Sequence, residues 1–116
     1  MKPGDIILVE FPRADLVKGK LRPALVLALM PGRHEDVFLA MITSKTHQVV
    51  VGFDILFSEN DPKFVATGLK STSLVRLTRL ATVEKRIIVA KLGEIDRGKL
   101  NVIYDRLINL IVKLKT

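Results

Sequence analysis

Seven consecutive apolar residues, Ala24 to Met30, follow an arginine and a proline, and this run constrains the fold more than any other feature of the chain. Such a run is typical of a central strand that is covered on both faces. Pro23 has no N–H to donate, so it fits at the first residue or at an edge of that strand. Arg22 then stands at the mouth of a rigid element with its guanidinium free, which suits phosphate binding. Taken alone, however, Arg22 is best interpreted as an ordinary basic residue beside a core strand.

Short β-type segments separated by turns account for most of the remaining chain. The predicted strands are Asp5–Phe11, Ala24–Met30, Asp36–Ile42, Val49–Phe57, Leu74–Leu77 and Arg86–Leu92. In the fourth segment Val51, Phe53, Ile55 and Phe57 recur at every second position, which indicates one buried face. Because no helical pattern separates the strands, the sequence predicts a small barrel or curled sheet.

The apolar period changes near the C-terminus and predicts an amphipathic helix. Its apolar positions, spaced by three and four residues, are Leu100, Ile103, Tyr104, Leu107, Ile108, Ile111 and Leu114. We expect Asp96 to cap the helix and Ile95 to pack against Leu100 across the cap. The predicted fold class is therefore mainly β with a C-terminal helix (α+β), the helix packing on the barrel.

Composition limits the kinds of function open to the chain. At 116 residues we expect one domain, residues 1–116, and the formal charge of +7 favours a polyanionic partner. Two histidines, no cysteine and scattered acidic residues predict no metal site and no cofactor. We find no signal-peptide pattern, and the apolar runs are far shorter than the roughly 20 residues of a membrane helix, so we expect a cytoplasmic protein with no membrane contact.

An ordered series of sequence blocks resembles the PemK/MazF family of toxins from type II toxin–antitoxin systems. The blocks are Lys2 to Val9, Lys20 to Leu27, Ile42 to Lys45, Gly68 to Leu77 and Leu80 to Val83. The resemblance runs from about Pro3 to Gly93. It implies a small SH3-like barrel of the PemK/MazF/CcdB type and a homodimer. It also implies metal-independent, sequence-selective cleavage of single-stranded RNA, restrained by a cognate antitoxin.

A ribonuclease without a metal uses the RNA's own 2′-hydroxyl to attack the adjacent phosphorus. The site must accept that proton, protonate the departing 5′-oxygen and stabilise charge on the phosphoryl group, and a preorganised guanidinium meets the last need. The resemblance assigns catalytic roles to Arg22 and Thr43, with Ser44 as the alternative if the register is off by one. Without the resemblance, Thr43 would be interpreted as a strand-end hydroxyl bonded to backbone. Lys45 adds charge beside them.

The proton acceptor and the RNA contacts leave alternatives open. Asp15, in the loop before Arg22, is a candidate proton acceptor or a residue that orders the loop by a turn-type hydrogen bond. The basic residues assigned to RNA binding are Arg13, Lys18, Lys20, Lys45, Arg76 and Arg79. For Arg76 and Arg79, contact with RNA or with a second subunit is weighed against surface ion pairing. Thr78 stands where the family block commonly carries Asp, which puts an acidic role at that position in doubt.

Two other functions compete with the ribonuclease interpretation. A CcdB-like toxin that poisons gyrase would share the barrel, but that family acts through aromatic and small residues at its extreme C-terminus. This chain ends Val112-Lys113-Leu114-Lys115-Thr116 and contains no Trp. A non-catalytic nucleic-acid-binding barrel agrees with the charge but leaves the pairing of Arg22 with Thr43 unexplained.

Overall fold

The apolar run after Pro23 forms the middle of a nine-residue strand around which the rest of the fold is built. The computed structural model describes residues 1–10 and 20–115. The described elements are, in chain order, β1 (Asp5–Glu10), β2 (Leu21–Leu29), β3 (Val37–Thr43), β4 (Ile55–Phe57), β5 (Ser73–Val83), β6 (Ile88–Glu94) and α1 (Arg97–Lys115). Single turns of 3₁₀-helix occupy Thr46–Gln48, Val65–Thr67 and Lys85–Ile87.

The described strands form one sheet in the order β4-β5-β3-β2-β1-β6. Every neighbouring pair is antiparallel, and three of the pairings join strands that follow one another in the chain. Together with α1, this sheet confirms the predicted fold class of mainly β structure with a C-terminal helix.

Strand β2 is buried on both faces, as predicted for a central strand. Leu25 and Leu27 belong to a core cluster that also contains Leu100 and Ile103 of the helix. The alternate residues Ala24 and Val26 belong to a second cluster on the opposite face of the sheet. We call these the helix-side core and the far-side core. An antiparallel sheet usually has one face in water, so the far-side core needs a cover of its own.

Irregular register in three strand pairs lets the sheet bend over the far-side core. The register shifts lie between Ile6 and Val9 in β1, between Val26 and Ala28 in β2, and between Ala40 and Met41 in β3. Such β-bulges bend a strand and increase its twist. Val83, Ile87 and Ile88, from the end of β5 to the start of β6, pack against the far-side core. The chain thus covers both faces of its own sheet.

The helix begins at the predicted cap and is fixed to β2. The Lys99 N–H donates to Oδ1 of Asp96 at 3.0 Å, and this hydrogen bond lowers the pKa of the Asp96 carboxyl. Ile95 and Leu100 belong to the same buried cluster. The Tyr104 hydroxyl donates to the Leu27 carbonyl oxygen at 2.6 Å. Past Leu107 the apolar side chains of the helix are exposed except for the half-buried Leu110, and the residues that join the helix-side core lie in the first part of the helix.

The prediction of a strand over Val49–Phe57 is wrong for its first two thirds, because only Ile55–Phe57 pairs with β5. The N–H groups of Phe53 and Asp54 both donate to the Val50 carbonyl oxygen, closing a turn. Gly52 supports the turn with φ of +89°, a conformation that side chains disfavour. Val51 is therefore 86% exposed rather than buried with Phe57.

Other boundaries differ by a few residues from the predicted ones. β5 continues to Val83, six residues beyond the predicted end, because it pairs with β3 again after an interruption. Arg86 lies in a 3₁₀ turn before β6 instead of starting that strand. Pro23 is the third residue of β2 and pairs with Leu8, while the ladder to β3 starts only at Ala24. At Pro23, therefore, β2 has a neighbour only in β1 and is an edge strand on its other side, where a residue without an N–H is tolerated. Phe11, the predicted end of the first strand, lies outside the described residues.

Candidate functional site

A polar cleft of about 520 Å³ opens where strands β2, β3 and β5 meet. Its lining residues are Arg22, Met41, Ile42, Thr43, Lys45, Gln48, Arg76, Arg79, Leu80 and Ala81. Four of the ten are cationic, and the part of the chain that the structure describes contributes no carboxylate to the lining. Focused positive charge in a concave surface attracts polyanions.

The register of β2 with β3 explains why Arg22 and Thr43 share this cleft. The last pair of that ladder is Ala24 with Met41. Continued by two residues, the same register places Arg22 opposite Thr43 on the face that carries Ala24 and Val26. The two strands stop pairing with each other at this point, so the two side chains face an opening rather than the far-side core. Arg22 is exposed and Thr43 is half-buried.

The Thr43 hydroxyl is already bonded to the backbone. The Lys45 N–H donates to Oγ1 of Thr43 at 3.1 Å. This is the local bond expected of a strand-end threonine with a purely structural role. It uses the hydroxyl oxygen as an acceptor and leaves the O–H proton to be donated elsewhere. The side chain is therefore oriented by its structural bond and can still donate to a phosphate oxygen.

An interruption in β5 brings Arg76 and Arg79 to the same cleft. Met41 pairs with Arg76, whereas the preceding residue Ala40 pairs with Leu80, so residues 77–79 have no partner on β3. In a regular strand two residues three positions apart point to opposite faces. The three extra residues change that alternation and let both arginines line the cleft.

Arg76 has one hydrogen-bond acceptor and one ion-pair partner. Its Nη1 donates to Oε1 of Gln48 at 3.0 Å. Its Nε lies 3.5 Å from Oδ2 of Asp54 in an ion pair, and the Arg76 side chain is only 14% exposed. Of the two interpretations left open for Arg76, surface ion pairing does not describe it, because its carboxylate partner is fully buried.

Asp54 was not identified from the sequence, where the segment around it was interpreted as an alternating strand. Its Oδ1 accepts the Thr78 hydroxyl at 3.2 Å and the Thr78 N–H at 3.4 Å. Thr78 stands where the family resemblance leads one to expect Asp. Here its hydroxyl donates to the carboxylate of Asp54, which comes from another segment of the chain. The signal available in the sequence was an acidic residue flanked by Phe53 and Ile55 in an apolar stretch.

The remaining residues with predicted roles lie elsewhere. Lys20 and Ser44 are exposed beside the strand ends, and neither is among the cleft-lining residues of the described chain. Arg13, Asp15 and Lys18 lie outside the described residues. Within residues 1–10 and 20–115, no three His, Asp or Glu side chains are grouped closely enough to hold a metal ion. No helix in these ranges is long and apolar enough to cross a membrane.

Comparison with known protein families gives a match that covers almost the whole chain. Residues 2–111 match the model of the PemK-like, MazF-like toxins of type II toxin–antitoxin systems. No curated protein matches the chain. The matched range includes all described strands, most of the helix and every residue that lines the cleft. The chain therefore belongs to the PemK-like, MazF-like family of toxins of type II toxin–antitoxin systems.

Proposed function

We propose that this toxin is a sequence-selective endoribonuclease that cleaves single-stranded RNA without a metal ion. The observation that carries the proposal is the convergence of Arg22, Thr43, Arg76 and Arg79 on one cleft with no described carboxylate in its lining. Guanidinium groups bind phosphate oxygens in a fixed, bidentate geometry. The cleft size and charge suit an RNA backbone, and the aliphatic Met41, Leu80 and Ala81 offer apolar contacts to the nucleotide.

In the proposed reaction the 2′-hydroxyl oxygen of the RNA forms a bond to phosphorus and loses its proton. The bond from phosphorus to the 5′-oxygen breaks, and that oxygen leaves with a proton. The products are a 2′,3′-cyclic phosphate and a 5′-hydroxyl. Arg22 stabilises the negative charge that develops on the phosphoryl oxygens, and Thr43 donates its O–H to one of them. Arg76 and Arg79 hold the neighbouring phosphates.

We assign the proton acceptor to the segment that precedes β2 in the sequence, which lies outside the described residues. Asp15 remains our candidate, and ordering of that loop by a turn-type hydrogen bond remains the alternative role. Ser44 is exposed next to Thr43 and is the secondary candidate for the hydroxyl. The proposal further includes a homodimer and action in the cytoplasm, where single-stranded RNA is abundant. Membership of a toxin–antitoxin family implies an antitoxin partner.

The chemistry predicts cleavage that persists in excess EDTA and stops when the target 2′-hydroxyl is replaced by hydrogen. The physical reason is that the attacking nucleophile belongs to the substrate, while arginines carry the role that a metal would have. Purified protein is incubated with a long RNA, the cut sites are mapped, and the ends are identified by mass spectrometry. Efficient cutting at the deoxy-substituted site would exclude this mechanism.

A parallel incubation with supercoiled DNA and gyrase separates the proposal from its alternatives. Trapped cleavage complexes without RNA cutting would indicate a gyrase poison. Binding of RNA without cutting would indicate a non-catalytic barrel. In either case the assignment of Arg22 and Thr43 as catalytic residues would be wrong.

A further inference from the structure

Behind the cationic cleft lies a carboxylate that RNA cannot reach. The side chain of Asp54 has no exposed surface, so it cannot contact substrate or exchange protons with it directly. Its Oδ2 accepts the Val50 N–H at 2.9 Å, and its Oδ1 accepts both the N–H and the hydroxyl of Thr78. Among the described residues, Arg76 is the only side chain that forms an ion pair with this carboxylate.

The ion pair between Asp54 and Arg76 is not arranged for maximum stability. Arg76 Nε is buried, lies 3.5 Å from Oδ2 and has no hydrogen-bond partner within the described chain. Burying two opposite charges is costly, and the cost is recovered only when the geometry is good and the remaining polar atoms are satisfied. A well-packed apolar pair would serve the core equally well. The arrangement is better explained by what it does to the guanidinium.

The effect on the guanidinium is to restrict its rotation. Arginine has a long, flexible side chain that loses rotamer freedom when it binds a phosphate. The Asp54 carboxylate, which does not line the cleft, attracts the guanidinium through the ion pair at Nε, and the cleft-lining Gln48 accepts a hydrogen bond from Nη1. A group oriented before RNA arrives loses less freedom on binding and is placed more accurately at the phosphate.

We propose that Asp54 is a positioning residue that holds the Arg76 guanidinium toward RNA phosphate in the cleft. The proposal rests on the proposed function, since it assigns RNA as the ligand of Arg76. The proposal also gives residues 49–54 a function, which is to place the Asp54 carboxylate beside Arg76. The turn places the Asp54 carboxylate against β5. There it accepts the hydroxyl of Thr78, one of the three residues that have no partner on β3.

The local fold has supports that do not depend on the Asp54 carboxylate. The Asp54 N–H donates to the Val50 carbonyl oxygen at 3.0 Å. Arg106 Nη1 donates to the Asp54 carbonyl oxygen at 2.9 Å, tying this backbone to the helix. Because these bonds use main-chain atoms, they persist when the side chain is replaced. We expect Asp54→Asn to remain folded while losing the charge that faces Arg76.

The decisive experiment is a double-mutant cycle on kcat/KM for RNA cleavage. We expect Asp54→Asn to lower kcat/KM by about tenfold, the cost of a misplaced phosphate-binding group. In an Arg76→Ala background the same change should lower it by less than about twofold, because the group that Asp54 positions is gone. Equal losses in both backgrounds would overturn the proposal, as would a folded Asp54→Asn protein with the rate of wild type.

Thr78→Val serves as the matched control. It removes one donor to Asp54 Oδ1, keeps the side-chain volume and leaves the ion pair and the hydrogen bond of Arg76 in place. Cleavage should stay within about twofold of wild type, because the Asp54 charge and both contacts of Arg76 are retained. A loss as large as that of Asp54→Asn would show that packing around the turn matters and not the charge, which would overturn the proposal.

A measurement without RNA separates this proposal from the ribonuclease proposal. In ¹⁵N NMR of the full chain, the Arg76 Nε–H should exchange slowly with water and show an ordered side chain. In Asp54→Asn and in Gln48→Leu the Nε–H should exchange faster and the side chain should be less ordered. Because Gln48 is exposed, its replacement should not unfold the protein. An Arg76 side chain that is mobile in wild type would overturn the positioning role. If wild type fails to cut RNA while Arg76 is ordered as described, the proposed function fails and the positioning of Arg76 stands.

Discussion

Arg22 and Arg76 approach the same cleft with different degrees of freedom. Arg22 is exposed at the start of β2, immediately before the rigid Pro23. Arg76 is mostly buried and held by Gln48 and Asp54. Arg22 lies opposite Thr43, where both side chains could reach one phosphoryl group, whereas the fixed Arg76 suits a phosphate that stays in place. We therefore assign charge stabilisation to Arg22 and phosphate anchoring to Arg76.

At the scale of the residue, we predict that Arg22→Ala lowers the RNA cleavage rate by ~10²–10³-fold, the usual cost of losing a preorganised charge donor. The fold should be unaffected, since the side chain is exposed. Thr43→Ala should also impair cleavage, by a smaller factor, because a neutral donor is lost. Single-turnover cleavage of one mapped RNA site measures the effect.

Arg33→Ala is the matched control, because it removes the same charge from an exposed turn outside the cleft lining. It should cut RNA at close to the wild-type rate. A comparable loss in Arg33→Ala would mean that total charge matters rather than the position of Arg22. A folded Arg22→Ala protein with wild-type activity would contradict the catalytic assignment.

At the scale of the element, the start of β1 is joined to β6 by a buried carboxylate. Asp5 accepts the Lys2 N–H at 3.0 Å and lies 3.3 Å from the Lys91 ammonium, and its side chain is 2% exposed. Burial by itself would raise the pKa of Asp5, but the Lys2 hydrogen bond and the Lys91 charge outweigh it and lower the pKa below the ordinary value. Ionised Asp5 is thus the form that stabilises the fold.

We predict that acid weakens the fold through Asp5. A carboxyl with a lowered folded-state pKa stabilises the protein above its unfolded pKa, here about 3.8, and the contribution disappears as pH falls through the folded value. At pH 7, Asp5→Asn should lower the free energy of unfolding by about 1.5–3 kcal/mol, the range for hydrogen bonds to a charged group. Urea unfolding at pH 7 and at pH 3 measures both effects.

The pH dependence distinguishes Asp5 from exposed carboxylates. Between pH 5 and pH 3 the variant should lose less stability than wild type, because one of the titrating groups is gone. Glu35→Gln, which breaks an exposed ion pair with Lys85, should follow the wild-type curve closely. If Asp5→Asn lost as much stability as wild type between pH 5 and pH 3, other carboxyl groups would be responsible for the acid sensitivity.

At the scale of the whole molecule, apolar surface remains uncovered on the single chain. The second half of α1 exposes Ile108, Ile111, Val112 and Leu114, with exposures from 56% to 73%. Large exposed apolar side chains close together are typical of an interaction surface. We predict a homodimer, so light scattering should return twice the chain mass of 12.9 kDa at tens of micromolar protein, a rough range for such interfaces. The monomer mass over a dilution series in that range would contradict it.

The net charge and the cationic cleft also predict how the antitoxin acts. We expect a small partner whose acidic, flexible segment folds over the Arg22 and Thr43 cleft and competes with RNA. Its affinity should fall as salt is raised, because the charges involved are partly exposed. Competition with labelled, non-cleavable RNA measures this. An inhibitor that binds RNA-saturated toxin as well as free toxin would place the antitoxin site elsewhere.

Some parts of the fold follow from local sequence because local physics decides them. The continuous apolar run from Ala24 indicated a strand that is buried on both faces. The spacing of apolar residues by three and four after Asp96 indicated a helix with one packed side. The cap at Asp96 depends on four neighbouring residues and was predicted correctly. The alternating pattern over Val49–Phe57 misled, because the turn at Gly52 and the contact of Asp54 with Thr78 outweigh the preference of valine for strands.

The candidate site, like the fold, could be predicted from the sequence only in part. Sequence alone, through its family resemblance, singled out Arg22, Thr43, Lys45, Arg76 and Arg79. Their meeting in one cleft depends on the β2–β3 register and on three unpaired residues in β5, which no local pattern reports. Asp54 and Gln48 are the clearest case: they lie 22 and 28 residues from Arg76 in the chain, and only tertiary contact makes them its partners. The sequence by itself determined which groups carry charge and which strands are buried. The fold decided which charges face the cleft and which one pairs with a buried carboxylate, because strand register and bulges act between distant segments.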